Sequence, residues 1–427
     1  MKIAYVAAGA AGMYCGTCLH DNTVAKALMD LGHDVTLIPT YTPIRTDERD
    51  VSQRQVFYGA INVYLQQKTA LFRKTPKMLD RLLNGRPLLN QVSRFSSSTD
   101  AHELGALTLS VLQGEEGRQT KELDKLVDFL QKLRPDVVHL TNSMFLGFTR
   151  EIQKALDIPV ICGLTGEDIF LEDLDEPWRT RVHEEMKLRA RDADGFVATS
   201  HYYADHMADF LEVPREKIHV VHLGLPLGEI TPRGDEVDPN TPFTIGYLAR
   251  VCPEKGLHLL VDAFREAYEQ SEGAMRLKVA GYVGGRDKHY FEEQRDKAIA
   301  WNLSDAIEFV GEVEWAEKLA FLRSLDVLSV PTIYREPKGR FVFEALAHAV
   351  PVALPDHGAF PEILEATGGG VLFRPASTEA LTQTLLDLQR DPERARALGR
   401  AGRAAVLDRF DDRTLAEATL EVYRGVV

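Results

Sequence analysis

The sequence predicts an α/β protein with two domains, each built on a parallel β-sheet covered by helices. Short apolar runs alternate with helical segments in both halves of the chain. Glycine and proline are concentrated between residues 224 and 242, as expected of a linker between domains. The 427 residues, 44% of them apolar, are enough to build two sizeable cores.

The first half opens with an apolar run at residues 2–8, bounded by Gly9, Gly12 and Gly16. A helical pattern then reaches Gly32, and the run VTLIP follows it. Further strand-like runs lie at 136–141, 159–165, 195–200 and 218–223. Continuous apolar runs of this kind are typical of strands that are buried on both faces of a parallel sheet.

An insertion over about residues 44–120 interrupts this series. Its first part, residues 55–67, is expected to form a β-hairpin. Residues 68–94 then form a basic amphipathic stretch with seven cations and one acid, a net charge of +6. This stretch is either a solvated helical face or a surface for an anionic membrane or acceptor.

The second half repeats the alternation. Strand-like runs lie at 243–249, 275–282, 306–311, 327–332, 350–355 and 369–373, with helical segments at 257–270, 288–301 and 341–348. We therefore predict a Rossmann-like acceptor domain at residues 1–225 and a Rossmann-like donor domain at 240–408. The helical pattern at 409–427 is predicted to pack back on the first domain.

Composition excludes several classes. The chain has 50 basic and 64 acidic residues, a net charge of −14, which argues against a general nucleic-acid binder. It contains neither a signal-peptide pattern nor an apolar stretch of the length that crosses a membrane. Four cysteines do not form a disulfide framework. A cytoplasmic protein is expected, with peripheral membrane contact possible through residues 68–94.

The densest group of candidate site residues lies in the second half. Glu336 and Glu344 stand eight residues apart, the first in a loop and the second in the following helix. A carboxylate there can accept hydrogen bonds from the vicinal hydroxyls of a ribose or a hexose. Arg250 and Lys255 follow a strand, where two cations can face a diphosphate.

The spacing of these residues resembles a known family. The motifs are G-x-x-x-R-x-x-x-x-K-G from Gly246, E-P-x-G-x-x-x-x-E-A-x-A-x-x-x-P-V from Glu336, and G-x-x-P-E from Gly358. Together they are similar to the donor half of the retaining glycosyltransferases of family 4, which have the GT-B fold. The resemblance is dense over residues 243–364 and looser in the first half.

The resemblance implies a retaining hexosyltransferase that uses a UDP- or GDP-type sugar nucleotide and needs no metal. Arg250 and Lys255 would hold the diphosphate and stabilise the charge on the leaving nucleotide. Glu344 would bind the ribose hydroxyls, and Glu336 would contact the transferred sugar. The other implied donor contacts are the backbone near Phe360, the nucleobase border Gly311 to Val313, and Gly12 or Gly16 of the first glycine loop.

One family residue is missing. Members commonly carry a histidine at the end of a strand in the first half, where this sequence has Thr165. Glu167, Asp168 or His20 could replace it, and of these Asp168 is our candidate for steadying positive charge at the anomeric carbon. Asp168 could equally cap the following helix, and His20 could be structural.

Two short patterns have weaker functional readings. Cys15 and Cys18 form C-x-x-C in the first loop, which we interpret as packing or substrate contact, with a redox pair as the alternative. Asp173 and Asp175 match D-x-D within an acidic stretch, which we interpret as a solvated surface, so no metal ligand is predicted.

The sequence also allows two alternative functions. An NAD-dependent oxidoreductase is disfavoured, because the first loop does not fit G-x-G-x-x-G. A sugar-nucleotide-binding protein without turnover is the other alternative, motivated by Thr165. The sequence identifies neither the nucleotide and sugar of the donor, nor the acceptor, nor the oligomeric state.

Overall fold

The computed structural model of the protein describes residues 1–9, 15–46, 48–69, 101–234 and 241–427. The chain divides into two compact units. The first unit comprises Met1–Leu223 together with Asp412–Val427, and the second comprises Gly224–Asp411. These divisions lie within a few residues of the expected end of the first domain at 225 and of the second at 408.

The first unit contains a parallel six-stranded sheet. Its strands are β1 (Lys2–Ala8), β2 (Asp34–Thr40), β3 (Val137–Leu140), β4 (Val160–Leu164), β5 (Gly195–Ala198) and β6 (Ile218–Val220). They pair in the order β2-β1-β3-β4-β5-β6. Alternate residues of β1 enter separate apolar clusters, Ala4 and Val6 in one, Ile3 and Tyr5 in the other. Both faces of this sheet are therefore buried, which explains its continuous apolar strands.

Helices cover this sheet. They are α1 (Gly16–Asp30), α2 (Ala60–Lys68), α3 (Ala101–Leu112), α4 (Thr120–Leu133), α5 (Thr149–Leu156), α6 (Asp168–Glu172), α7 (Trp178–Ala190) and α8 (His201–Leu211). The predicted alternation of strands and helices in this half is confirmed.

The hairpin predicted over residues 55–67 is wrong, because α2 occupies its second half. Helical spacing places Val63 and Gln66 on the buried side of α2. Gln66 Nε2 donates to Glu122 Oε1 at 2.8 Å, which binds α2 to α4. The sequence does not indicate this helix, because a glutamine that is buried with a hydrogen-bond partner looks the same in a sequence as an exposed glutamine.

The second unit contains another parallel six-stranded sheet. Its strands are β7 (Phe243–Leu248), β8 (Met275–Ala280), β9 (Ile307–Gly311), β10 (Val327–Ser329), β11 (Val352–Pro355) and β12 (Gly370–Phe373), in the order β12-β11-β10-β7-β8-β9. The helices of this unit are α9 (Leu257–Gln270), α10 (Lys288–Ala300), α11 (Trp315–Arg323), α12 (Arg340–Ala347), α13 (Phe360–Thr367), α14 (Thr378–Arg390) and α15 (Pro392–Arg409). The strand order reverses at β7, so ligands are expected at the carboxyl ends of β7 and β10.

The last helix, α16 (Asp412–Val426), belongs to the first unit, as predicted. Its apolar face packs on α1 and includes the buried Leu415 and Leu420. Tyr423 is also buried, and its hydroxyl lies 2.8 Å from His139 Nδ1 on β3. The carboxyl-terminal segment is thus fastened to the first sheet by apolar contact and by a buried hydrogen bond.

Candidate donor site

The two groups of predicted donor residues meet because their strands are neighbours. Arg250 and Lys255 follow β7, and Glu336 lies in the loop after β10, which pairs directly with β7. Carboxyl ends of adjacent parallel strands emerge at the same edge of a sheet. The 81 residues that separate Lys255 from Glu336 in the chain therefore do not keep them apart in space.

Lys255 and Glu336 form a buried ion pair with Tyr334. Lys255 Nζ lies 2.7 Å from Glu336 Oε2, and the side chains are 18% and 7% exposed. The Tyr334 hydroxyl donates to the same oxygen at 2.5 Å and accepts a hydrogen bond from Lys255. The Gly339 N–H, at the start of α12, donates to Glu336 Oε1 at 3.2 Å. Glu336 is thus held from three directions.

This arrangement determines the charge of the site. Burial by itself raises the pKa of Glu336, but the Lys255 ammonium and the two hydrogen-bond donors outweigh it and lower that pKa to about 2. Burial and the adjacent Glu336 raise the pKa of Tyr334 well above its usual range. At neutral pH Glu336 is therefore a carboxylate and Tyr334 a neutral phenol.

A glycine of the G-x-x-P-E motif makes this packing possible. Gly358 has φ of 61°, and a Cβ built on it would lie 2.7 Å from the backbone N and O of Glu336. The next residue, Ala359, donates its N–H to the Glu336 carbonyl at 2.8 Å. Glycine is therefore required here for both conformation and space. It places the buried Phe360, the first residue of α13, beside the Glu336 loop.

Arg250 is less enclosed than Lys255. Its side chain is 45% exposed and lies 3.9 Å from Glu254. Its Nε is 3.3 Å from the sulfur of the buried Cys252. Its half-exposed guanidinium lies on the loop after β7, where it is accessible to an anion.

Glu344 lies on α12, eight residues after Glu336 in the chain, and belongs to a second charged cluster. Lys318 Nζ and Arg340 Nε each lie 3.1 Å from Glu344 Oε1. Burial raises the pKa of Glu344, but the two cations outweigh it and lower that pKa below its usual range. Glu344 also lines a small pocket with Trp315, Lys318 and Arg340.

The predicted nucleobase border follows β9. Gly311 is the last residue of that strand, and its carbonyl accepts the Gly281 N–H at 2.8 Å. Val313 precedes α11, which carries Lys318. β9 is two strands from β7 in the sheet order, so these residues lie along the same edge as Lys255.

In the first unit, Gly16 is the first residue of α1, and Cys15 is its N-cap. Gly12 lies outside the described residues, as does nearly all of the basic stretch 68–94. The buried Cys18 donates its thiol to the Ala8 carbonyl at 3.0 Å, which fits the packing interpretation of this cysteine. All four cysteines are free thiols.

The acids near Thr165 are engaged by protein groups. Glu167 accepts from the Ser143 hydroxyl at 2.7 Å and from the Thr165 N–H at 2.6 Å. Asp168 accepts from the Tyr203 hydroxyl at 2.7 Å, and its other oxygen lies 3.2 Å from His206 Nε2. Asp168 is the first residue of α6, and Glu167 is the N-cap of that helix, without a side-chain capping hydrogen bond.

His20 lies near the position of the missing histidine. It is 7% exposed and lines a small pocket of the first unit together with Thr165, His139 and Tyr5. His20 and Thr165 are thus brought together by the fold, although 145 positions separate them in the sequence.

Among the described residues, no group of three or more His, Cys, Asp or Glu side chains is arranged to hold a metal ion. Asp173 is the C-cap of α6, and the Asp175 carbonyl accepts the Trp178 N–H at the start of α7. None of the described helices is long and apolar enough to cross a membrane.

Sequence reasoning missed Tyr334, Lys318 and Arg340. Arg340 precedes Glu344 by four residues, so helical spacing alone could have indicated that pair. Lys318 is 26 residues from Glu344, and nothing local in the sequence connects them. Tyr334 lies in a loop, where apolar periodicity gives no information.

Comparison with known proteins matches each half of the chain to a glycosyltransferase family model. A model described as glycosyl transferases group 1 matches residues 231–405, and a model described as a glycosyl transferase 4-like domain matches residues 22–224. The chain is 25% identical to glycogen synthase of Mycobacterium tuberculosis over 297 residues, 68% of this chain and 69% of that protein. It is 28% identical to D-inositol 3-phosphate glycosyltransferase of Segniliparus rotundus over 263 residues, 60% of this chain and 57% of the relative.

Solved structures agree on the fold. The chain matches HepE of Anabaena in complex with UDP over 100% of both chains, with a TM-score of 0.69 and 16% identity. It matches sucrose-phosphate synthase from Thermosynechococcus elongatus over 100% of this chain and 99% of that one, with a TM-score of 0.73 and 16% identity. At these identities the likeness shows a shared architecture.

Proposed function

The chain belongs to the glycosyl transferases group 1 family and has the GT-B fold, and on that premise we propose a specific reaction. It transfers a hexose from a nucleoside-diphosphate sugar to a hydroxyl acceptor, with retention at the anomeric carbon. The observation that carries the proposal is the ion pair of Lys255 and Glu336 at the carboxyl ends of the neighbouring strands β7 and β10, with the buried Glu344 on the helix that follows Glu336. The HepE structures that share this fold hold UDP, UDP with glucose, and UDP-glucose.

Arg250 and Lys255 are proposed to bind the diphosphate. Both follow the strand at which the sheet order reverses, and Arg250 is exposed enough to reach an anion. Two fixed cations can stabilise the charge that develops on the leaving nucleotide, the role a divalent ion has in other enzymes. We therefore propose that turnover needs no metal, and we expect activity to persist in EDTA.

The two glutamates are proposed to bind the two sugars of the donor. Glu344 accepts from the ribose hydroxyls through Oε2, on which no donor lies among the described residues. Glu336 contacts the transferred hexose. Both carboxylates are ionised at neutral pH, so each offers a charge-assisted hydrogen bond to a hydroxyl. The backbone near Phe360, residues 311–313 and the first glycine loop complete the proposed donor contacts.

The proposed step breaks the bond between the anomeric carbon and the β-phosphate oxygen. The acceptor oxygen forms the new bond to that carbon, and its proton passes to the departing phosphate. Positive charge at the anomeric carbon then needs a nearby anion, for which Asp168 is the proposed first-unit residue. Asp168→Asn should lower kcat while the affinity for the donor stays within about twofold of wild type.

A panel of UDP, GDP and ADP and their glucose and mannose derivatives tests donor binding by thermal shift. A ligand at 100 times its Kd stabilises the folded protein by about 2.7 kcal/mol. Lys255→Ala and Glu344→Ala should each abolish the shift given by the best ligand. If both variants kept wild-type shifts and wild-type turnover, the donor-site assignment would be wrong.

Release of nucleoside diphosphate tests turnover, and proton NMR of the first product formed tests retention. A product with the anomeric configuration of the donor supports the proposal, and the opposite configuration contradicts it. Sugar-nucleotide binding with neither hydrolysis nor transfer to any sugar or lipid-linked acceptor would favour the binding-only alternative.

Peripheral membrane contact through residues 68–94 remains part of the proposal, because the +6 charge suits an anionic surface. Co-sedimentation with vesicles that contain 30% phosphatidylserine tests it at low salt. Binding that disappears when the basic residues of this stretch are replaced by glutamine supports the proposal, and no sedimentation at low salt contradicts it.

A further inference from the structure

We propose that Lys318 and Arg340 are positioning residues, which together clamp one oxygen of Glu344 so that its other oxygen is presented to the ribose of the donor. This inference rests on the proposed function, in which Glu344 accepts from the ribose hydroxyls. It assigns two residues that the sequence motifs do not specify, since Lys318 lies outside them and Arg340 occupies a variable position. It also makes nucleotide recognition depend on a helix, α11, that carries no residue of those motifs.

The clamp is defined by its geometry. Lys318 Nζ and Arg340 Nε both lie 3.1 Å from the same atom, Glu344 Oε1. No hydrogen-bond donor lies on Oε2 among the described residues. Two donors that approach one oxygen from different helices fix the rotation of the carboxylate, whereas a single donor allows it to turn. The second oxygen therefore has a defined direction before any ligand binds.

Burial makes the clamp necessary. Lys318, Arg340 and Glu344 are only 6%, 8% and 8% exposed. A buried carboxylate without a cation takes up a proton, and then one of its oxygens becomes a donor. Two cations keep Glu344 ionised, so Oε2 stays an acceptor for a hydroxyl.

The two cations are themselves held in place. Arg340 begins α12 and reaches Glu344 one turn later on the same helix. Lys318 lies on α11 with its ammonium 4.8 Å from the centre of the Trp315 ring. The Trp315 indole N–H donates to Glu229 at 2.7 Å, which fixes the ring. The clamp thus consists of Lys318 from α11 and Arg340 from α12.

The consequence is a specific loss when one arm is removed. In Lys318→Met, Arg340 still accompanies Glu344, so the buried carboxylate keeps one cation and the fold is expected to survive. Oε2 loses its fixed direction, so the contact with the ribose weakens. The expected effect is a higher KM for the donor with kcat within about threefold of wild type, because the transferred sugar and the diphosphate keep their contacts.

The test compares UDP with 2′-deoxy-UDP and 3′-deoxy-UDP by isothermal titration, or the GDP series if GDP is the better ligand. A hydrogen bond from a hydroxyl to a charged partner is worth about 10- to 100-fold in affinity, so wild type should prefer the ribonucleotide by at least about tenfold over one analogue. Lys318→Met and Arg340→Leu should reduce that preference to below about threefold. Lys318→Arg should restore most of it.

Lys297→Met is the control, since Lys297 on α10 forms a more exposed lysine–carboxylate pair, 3.0 Å from Asp262. It should keep the wild-type preference. If Glu344→Ala discriminates as wild type does, the proposed ribose contact itself is wrong. If Glu344→Ala loses the preference while Lys318→Met and Arg340→Leu keep it, the ribose contact stands and the clamp is refuted.

Discussion

Protonation of Glu336 should remove a measurable part of the stability of the second unit. Its carboxylate is buried against Lys255 and Tyr334, and its pKa is lowered from 4.5 to about 2. A group with a lowered folded-state pKa stabilises the fold fully above its unfolded-state pKa, and this stability is lost as the pH falls through the folded-state pKa. At roughly 1.4 kcal/mol per pKa unit, the contribution is about 3 kcal/mol at pH 7 and about 1 kcal/mol at pH 3.

Urea unfolding at pH 7 and pH 3, followed by circular dichroism, measures this loss. The free energy of unfolding should be higher for wild type than for Glu336→Gln at pH 7, and the difference should shrink by about 2 kcal/mol at pH 3. Comparing two proteins at each pH removes the contribution of all other titrating groups. Glu365→Gln, at an exposed residue of α13, is the control and should show no change in the difference.

Wild type and Glu336→Gln could instead differ in free energy of unfolding by the same amount at pH 7 and pH 3. That outcome would mean that Glu336 titrates alike in the folded and unfolded protein. Lys255→Met gives an independent check, because removal of the ammonium should raise the pKa of Glu336 and move the loss of stability to higher pH.

Three further predictions concern single positions. Gly358→Ala should lower Tm by several degrees, because its Cβ would lie 2.7 Å from backbone atoms at a positive φ, whereas Gly228→Ala, with no atom within 4 Å, should leave Tm within about a degree of wild type. Tyr423→Phe should cost about 1 kcal/mol of unfolding free energy through its lost bond to His139, and unchanged donor affinity is expected in the same protein. Arg250→Met should raise the donor KM at least about tenfold, and a KM within twofold of wild type would remove Arg250 from the diphosphate site.

The strands were predictable because most of them are buried on both faces. β1 and β4 are continuous apolar runs bounded by loops, and the physics that places such runs inside a parallel sheet needs no long-range information. Residues 55–67 were not predictable in the same way. Most of this segment is the helix α2. The buried face of that helix includes Gln66, whose partner Glu122 lies 56 residues away in the chain.

The donor site was predictable as far as its motifs reach. The motifs that contain Lys255 and Glu336 follow β7 and β10, and the fold brings the two side chains to 2.7 Å. The groups that hold them were not selected, because Tyr334 and Lys318 act through contacts that the chain makes only when folded. The spacing of a sequence motif identifies residues such as Lys255 and Glu336. It does not identify the residues that hold motif side chains in place, such as Tyr334 and Lys318.

The first unit was the least predictable. Asp168 was chosen for its charge and its place after β4, but its partners Tyr203 and His206 lie on α8 and could not be found from local sequence. His20 on α1 and Thr165 after β4 line a common pocket, and only the folded chain brings these two distant segments together. The choice between these groups depends on the acceptor, whose chemistry the sequence does not encode in any motif.

The proposed donor site can be tested by isothermal titration. UDP-glucose, GDP-mannose and ADP-glucose are each titrated into the wild-type protein and into Glu344→Ala. We expect one of the three to bind wild type saturably with one site per chain, to be displaced by its own nucleoside diphosphate, and to bind Glu344→Ala at least about tenfold more weakly. Binding of none of the three, or equal binding to both proteins, would contradict a donor site built on Lys255, Glu336 and Glu344.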